Sequence, residues 1–185
     1  MKERIIKTGS LIIALLPVIV SLFGCNSEPL NDDESKSEKE YVSYEQIGNV
    51  TWPAICVSNV IVSEKDEKVN VIISIANNPG IAGALLGFEY DNRLTLIESR
   101  PGKAFSALEY TPPGRYENPC RFFWDSENCS TKEDGEVLTL TFKLPENTKK
   151  GDCFEVKCFF TDEDVYNQSL DAVSLDIRNG KIDIE

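Results

Sequence analysis

From about residue 50 onward the chain alternates apolar and polar positions in short runs broken by turn residues. Residues 69–76 read VNVIISIA, which puts Val69, Val71, Ile73 and Ile75 on one face of a strand. Residues 84–90 repeat the pattern with Ala84, Leu86, Phe88 and Tyr90, and residues 137–144 repeat it with Leu138, Leu140, Phe142 and Leu144. Runs at 54–62, 94–98, 121–125, 154–161 and 173–184 complete the set. Asn77-Asn78-Pro79-Gly80, Asp91-Asn92 and Asn179-Gly180 supply turn chemistry between runs. No window of twelve residues sustains a 3.6-residue period. The pattern predicts an all-β domain: a two-sheet β-sandwich with jelly-roll topology and about nine strands.

The same alternation assigns faces. With Ala84, Leu86, Phe88 and Tyr90 inward, Gly83, Leu85, Gly87 and Glu89 point outward. With Leu138, Leu140 and Phe142 inward, Val137, Thr139 and Thr141 point outward. Phe122, Phe123 and Trp124 cannot all face a core, and the expected arrangement is Phe122 and Trp124 inward with Phe123 outward.

The first fifty residues have a different texture. Lys2, Arg4 and Lys7 precede an apolar run from Leu11 to Phe23, which is too short to span a bilayer. Its end, Leu22-Phe23-Gly24-Cys25, resembles a bacterial lipobox, in which the cysteine becomes the lipidated first residue. The expected organisation is a signal peptide at 1–24, a lipid-anchored acidic disordered linker at 25–45 and a β domain at 46–185. The lipid on Cys25 attaches the protein to a membrane from outside, at the cell surface. The linker is too polar to fold and serves as a tether.

Charge removes several function classes. The net charge is −12, and since residues 1–24 carry a net +2, the remainder carries −14. Such a surface repels phosphate backbones, so nucleic acid is not an expected partner. The chain has no histidine, which excludes Ser-His-Asp and Cys-His catalysis. The run Asp162-Glu163-Asp164 lacks the ligand spacing of a calcium loop. The cysteines do not form Cys-x-x-Cys pairs. No metal site, cofactor or catalytic activity is expected. Cys153 and Cys158 fall on opposite faces of one strand, whereas Cys120 and Cys129 can close a disulfide loop.

Three segments share a resemblance. NNPGIAGALLGFEYDNRLTLIES, DGEVLTLTFKL and NQSLDAVSLDIRNGKIDIE occur in that order and resemble landmarks of cohesin domains. The resemblance implies a nine-strand jelly roll that binds a dockerin, a small helical calcium-binding module carried by polysaccharide-degrading enzymes or scaffold proteins. The calcium would belong to the dockerin. It also implies that the strands through Tyr90 and Phe142 are neighbours in the docking sheet. Residues 102–119 match no landmark.

The expected dockerin-binding residues are then Gly83, Leu85, Gly87, Glu89, Phe123, Asp125, Val137, Thr139 and Thr141. Gly83 and Gly87 would keep the surface flat around Leu85, and Glu89 and Asp125 would bond at the rim. The alternative is a carbohydrate-binding module that stacks sugar rings on Trp52, Tyr110, Tyr116 or Trp124.

Overall fold

The computed structural model describes residues 50–185. The expected signal peptide, Cys25, the linker and the domain start at 46 lie outside the described residues.

All regular elements among these residues are strands, and there are twelve rather than about nine. They are β1 (Ala54–Val57), β2 (Val60–Val62), β3 (Lys68–Ala76), β4 (Gly83–Tyr90), β5 (Thr95–Pro101) and β6 (Glu109–Thr111). The chain continues with β7 (Cys120–Asp125), β8 (Gly135–Lys143), β9 (Cys153–Phe159), β10 (Val165–Tyr166), β11 (Asp176–Arg178) and β12 (Gly180–Ile184). One sheet has the order β11-β1-β3-β8-β5. The other runs β2-β12-β9-β4-β7-β6, with β10 alongside β4, giving seven strands. The two sheets form the expected jelly-roll sandwich.

The higher count comes largely from two expected strands that each change sheet midway. The run at 54–62 divides into β1 and β2, and the run at 173–184 into β11 and β12. β1 pairs parallel with β11, and β2 pairs parallel with β12, so both ends of the domain cross between sheets together. Ladder bonds lost at the crossing are replaced by side chains. Ser58 Oγ accepts from Ile72 N at 2.9 Å, and Asn59 Oδ1 accepts from Lys181 N at 3.2 Å. Asn179 Oδ1 accepts from Cys158 N at 3.0 Å. A Cβ at Gly180 would collide with the carbonyl oxygens of Val57 and Ser58, so the crossing requires glycine there.

The opposite edge is closed by residues 102–119, the segment without a landmark. Ala104, Phe105 and Leu108 are buried, and Phe105 meets Trp124 edge to face at 5.6 Å. The hydroxyls of Tyr110 and Tyr116 both reach Ser99 Oγ, at 2.8 and 2.9 Å, tying β6 and the following loop to β5 of the other sheet.

The core lies between the sheets. Ala84, Leu86, Phe88 and Tyr90 face it, as do Leu138, Leu140 and Phe142. Phe122 and Trp124 are fully buried while Phe123 is 37% exposed, the arrangement expected from alternation. Phe88 packs on Phe122, 5.8 Å between ring centroids, and Tyr90 on Phe142 at 4.9 Å.

Candidate functional site

The expected pairing of the strands through Tyr90 and Phe142 is not present. β4 lies between β7 and β9, with β10 also alongside, whereas β8 pairs with β3 and β5 in the opposite sheet. Alternation reports which way a side chain points, not which strand stands beside it. Thr139 and Thr141, on the far side of the opposite sheet, are therefore separated from Leu85 by the full thickness of the sandwich, and Val137 does not reach either outer face. Val137 is completely buried. The register slips at Ile73/Ser74 of β3, where Ile73 pairs with Leu138 and Ser74 with Glu136, so Val137 is the extra residue of a β-bulge. Two successive residues of β8, Val137 and Leu138, thus turn to the core. Thr139 faces away from the core but is also buried, and its hydroxyl donates to the Glu136 carboxylate.

The outward residues that do come together are on β7, β4, β9 and β10. The register pairs Leu85 with Phe123, Gly83 with Asp125 and Gly87 with Arg121. On the other side of β4, Gly83 pairs with Tyr166, Gly87 with Phe159 and Glu89 with Lys157. Gly83 and Gly87 are buried, which corrects their reading as bare, flat surface. A Cβ on Gly83 would overlap the Tyr166 ring, and one on Gly87 would overlap the Phe159 ring. Each glycine is a seat that lets an aromatic side chain cross β4.

Both rings reach polar groups on the far strand. Tyr166 donates from its hydroxyl to Asp125 Oδ1 at 2.7 Å. Desolvation, then this bond and the carboxylate's charge, push the Tyr166 phenol up to about 12. The guanidinium of Arg121 stacks over Phe159, 5.4 Å from the ring centroid. Between the two ring-covered glycines stands the pair Leu85–Phe123, half-buried and exposed respectively. This is an apolar patch with an acid at one end and a cation at the other.

Further along the same face the chemistry changes to charge. Lys157 bonds Glu155 at 2.7 Å and Lys181 bonds Asp183 at 2.8 Å. The Lys181 ammonium, and then the Cys153 thiol, donate to Asp183 and hold its carboxyl below the usual range. Glu89 is exposed at the border of this charged half, opposite Lys157.

The cysteines do not form the expected loop. Cys120 is buried at the start of β7, where its thiol points to Arg115 O at 3.9 Å, and Cys129 is exposed past the strand's other end. Five residue steps of β7 put about 16 Å between those ends. Cys153 is exposed and Cys158 buried, on opposite faces as expected, and burial pushes the Cys158 thiol up to about 12. Asp164 of the acidic run accepts from both the backbone N and the hydroxyl of Thr161, at 2.7 and 2.8 Å, closing a turn.

The aromatics considered for sugar stacking do not assemble a platform. Trp124 is buried, Tyr110 leans on it at 5.2 Å and Tyr116 on Phe122 at 6.4 Å. Of the four, Trp52 alone is largely exposed, at 71%.

No protein-family model matches the chain, and no curated protein matches it. Solved structures do. A non-cellulosomal cohesin from the hyperthermophilic archaeon Archaeoglobus fulgidus superposes with a TM-score of 0.60 at 14% identity, covering 72% of this chain and 91% of that one. A type III cohesin module from the cell-surface anchoring scaffoldin ScaE of Ruminococcus flavefaciens gives 0.62 at 19% identity, covering 72% and 88%. The cohesin of the type I Coh-OlpA–Doc918 cohesin–dockerin complex from Clostridium thermocellum gives 0.60 at 18% identity, covering 72% and 99%. The described domain therefore has the fold of cohesin modules.

Proposed function

We propose that this protein is a docking module without enzymatic activity, and that it captures a dockerin on the outer face of its seven-stranded sheet. The carrying observation is the apolar patch of Leu85 and Phe123, preformed between two ring-covered glycines on rigid strands and facing outward. Such central apolar groups, ringed by polar ones, are the usual energetic anchors of protein interfaces. A helix laid on the patch would cover Leu85 and Phe123, with Glu89 at the rim. Similar folds have been solved in complex with dockerins, which supports the reading. The calcium belongs to the dockerin. In this reading a lipid on Cys25 and the acidic linker hold the domain at the cell surface, where it attaches polysaccharide-degrading enzymes or scaffold proteins.

The test is calorimetric titration of the full chain against a panel of dockerins, with calcium present and then chelated. Submicromolar binding that disappears on chelation is the expected result. Retention on insoluble polysaccharide with no dockerin bound would replace this reading with the carbohydrate one. For the anchor, mass spectrometry of the membrane-derived protein should show acyl chains on Cys25, and a bare thiol there removes the tether.

A further inference from the structure

Arg121 carries a second layer of information about the partner. Its guanidinium is stacked on a ring that is itself seated on Gly87, its own register neighbour, so the stack favours one orientation of the cation. Among the described residues no carboxylate forms an ion pair with it. The acid whose charge it feels, Asp164, already accepts two bonds from Thr161 on Oδ2. Among the described residues the N–H edge of Arg121 makes no hydrogen bond and no ion pair, with Asp164 acting on it only through space.

Spacing then matters. Along β7 the outward residues are Arg121, Phe123 and Asp125, in the order cation, apolar, anion. Two residues of strand advance about 6.6 Å. Four residues of helix rise about 6 Å. A helix lying along this strand with an aliphatic side chain on Leu85 and Phe123 would bring a residue one turn away to Arg121.

Resting on the dockerin reading above, we infer that the partner helix presents a carboxylate one turn from its aliphatic anchor, and that Arg121 binds it. Asp125 at the opposite end of the patch repels that carboxylate if the helix is reversed, so the charge order selects one docking direction.

The probes are calcium-loaded dockerins carrying Glu, Gln or Lys one turn from an exposed-helix aliphatic residue, titrated against the full chain in detergent. The Glu probe should bind tightest. Arg121→Glu should weaken that probe tenfold or more and reverse the order in favour of the Lys probe. Arg121→Lys, which keeps the charge but not the planar stack, should recover only part of the affinity. Thermal unfolding of each variant checks that the domain is intact. An unchanged order of the three probes in Arg121→Glu overturns the inference, and if Leu85→Asp still abolishes binding, the docking reading survives without it. Failure of every probe to bind the unsubstituted chain, or full binding to Leu85→Asp, overturns both.

Discussion

The outer face of the seven-stranded sheet has two halves, and they solve the problem of exposure in opposite ways. Around Glu155, Lys157, Lys181 and Asp183 the side chains neutralise one another at 2.7–2.8 Å and remain in water. Such pairs contribute at most about 1 kcal/mol each and need no further partner. Around Leu85 and Phe123 the face is apolar, and its stacked cation Arg121 makes no ion pair among the described residues. The difference shows where a partner would gain free energy: by covering what is unsatisfied rather than by displacing what is already paired. If the proposed dockerin docking holds, Phe123→Asp should reduce that affinity about a hundredfold, whereas Lys157→Ala in the charged half should change it by no more than about twofold. Comparable losses from the two substitutions would erase the distinction between the halves. Lys157→Ala should shift stability by no more than about 0.5 kcal/mol, and Phe123→Asp, which removes a ring only 37% exposed, by about 1 kcal/mol, too little to unfold the domain.

The apolar half also depends on what it lacks. Gly83→Val must displace the Tyr166 ring and with it the bond to Asp125. Overpacking of that kind typically costs about 1–3 kcal/mol. We expect a denaturant midpoint lower by that amount, together with weakened binding. Glu155→Val, an equally large change of chemistry on the same face, removes one exposed ion pair and should cost under about 1 kcal/mol. Equal losses at both positions would mean the glycine is an ordinary surface site rather than a ring seat.

Much of this face was legible from alternation. The inward and outward sets of β4, and the split of Phe122, Phe123 and Trp124, follow from a period of two and a single buried side. What alternation does not contain is adjacency. β8 has the right inward set for its own sheet, but its neighbours are set by chain connections far apart in sequence, and the bulge at Val137 breaks its pattern locally. The glycines illustrate a subtler loss. A glycine inside a strand signals close approach, and Phe159 shares the outward parity of Glu155 and Lys157, so one ring of the site was within reach of sequence reasoning. Tyr166 was not, because a strand of two residues carries no period.

Asp183 in one half and Tyr166 in the other loosen at opposite ends of the pH scale. Asp183 has a lowered native pKa, so the unfolded state binds its proton more readily. Its stabilisation is present above about pH 4 and is lost as pH falls through the native value. Tyr166 is the reverse. The unfolded phenol ionises near pH 10 and the native one near 12, so its contribution is intact below about pH 10 and disappears as pH rises toward 12. Urea midpoints measured across both ranges should show Asp183→Asn flattening part of the acid limb, the rest staying with Asp91 and Asp164, and removing the alkaline share of Lys181, whose pKa Asp183 raises. Tyr166→Phe should flatten part of the alkaline limb and leave the acid limb as it was. The thiols Cys56, Cys120, Cys153 and Cys158 and the phenols Tyr90 and Tyr110, all raised first by desolvation, contribute further alkaline loss in every variant. Tyr166→Phe with an unaltered alkaline limb would show that the ring's hydroxyl does not hold the apolar half together.

The smallest effect concerns where the apolar half ends. The loop after β10 carries Leu170, 78% exposed and in the left-handed backbone region at φ 64°. Asn167 locks that loop, its side-chain Oδ1 accepting from Ser169 N and Asp171 N, and Gln168 ties it to Asn128 O beyond β7. A leucine gains nothing from that backbone, and it costs about 1 kcal/mol. Asparagine tolerates the conformation, so Leu170→Asn should raise the unfolding free energy by up to about 1 kcal/mol, a gain of a few degrees in Tm. If the loop extends the docking patch past Tyr166, the same substitution should weaken dockerin binding a few-fold. Stability and affinity would then move in opposite directions, which a residue kept only for folding would not produce. A stability gain with affinity unchanged would place the boundary of the patch at Tyr166.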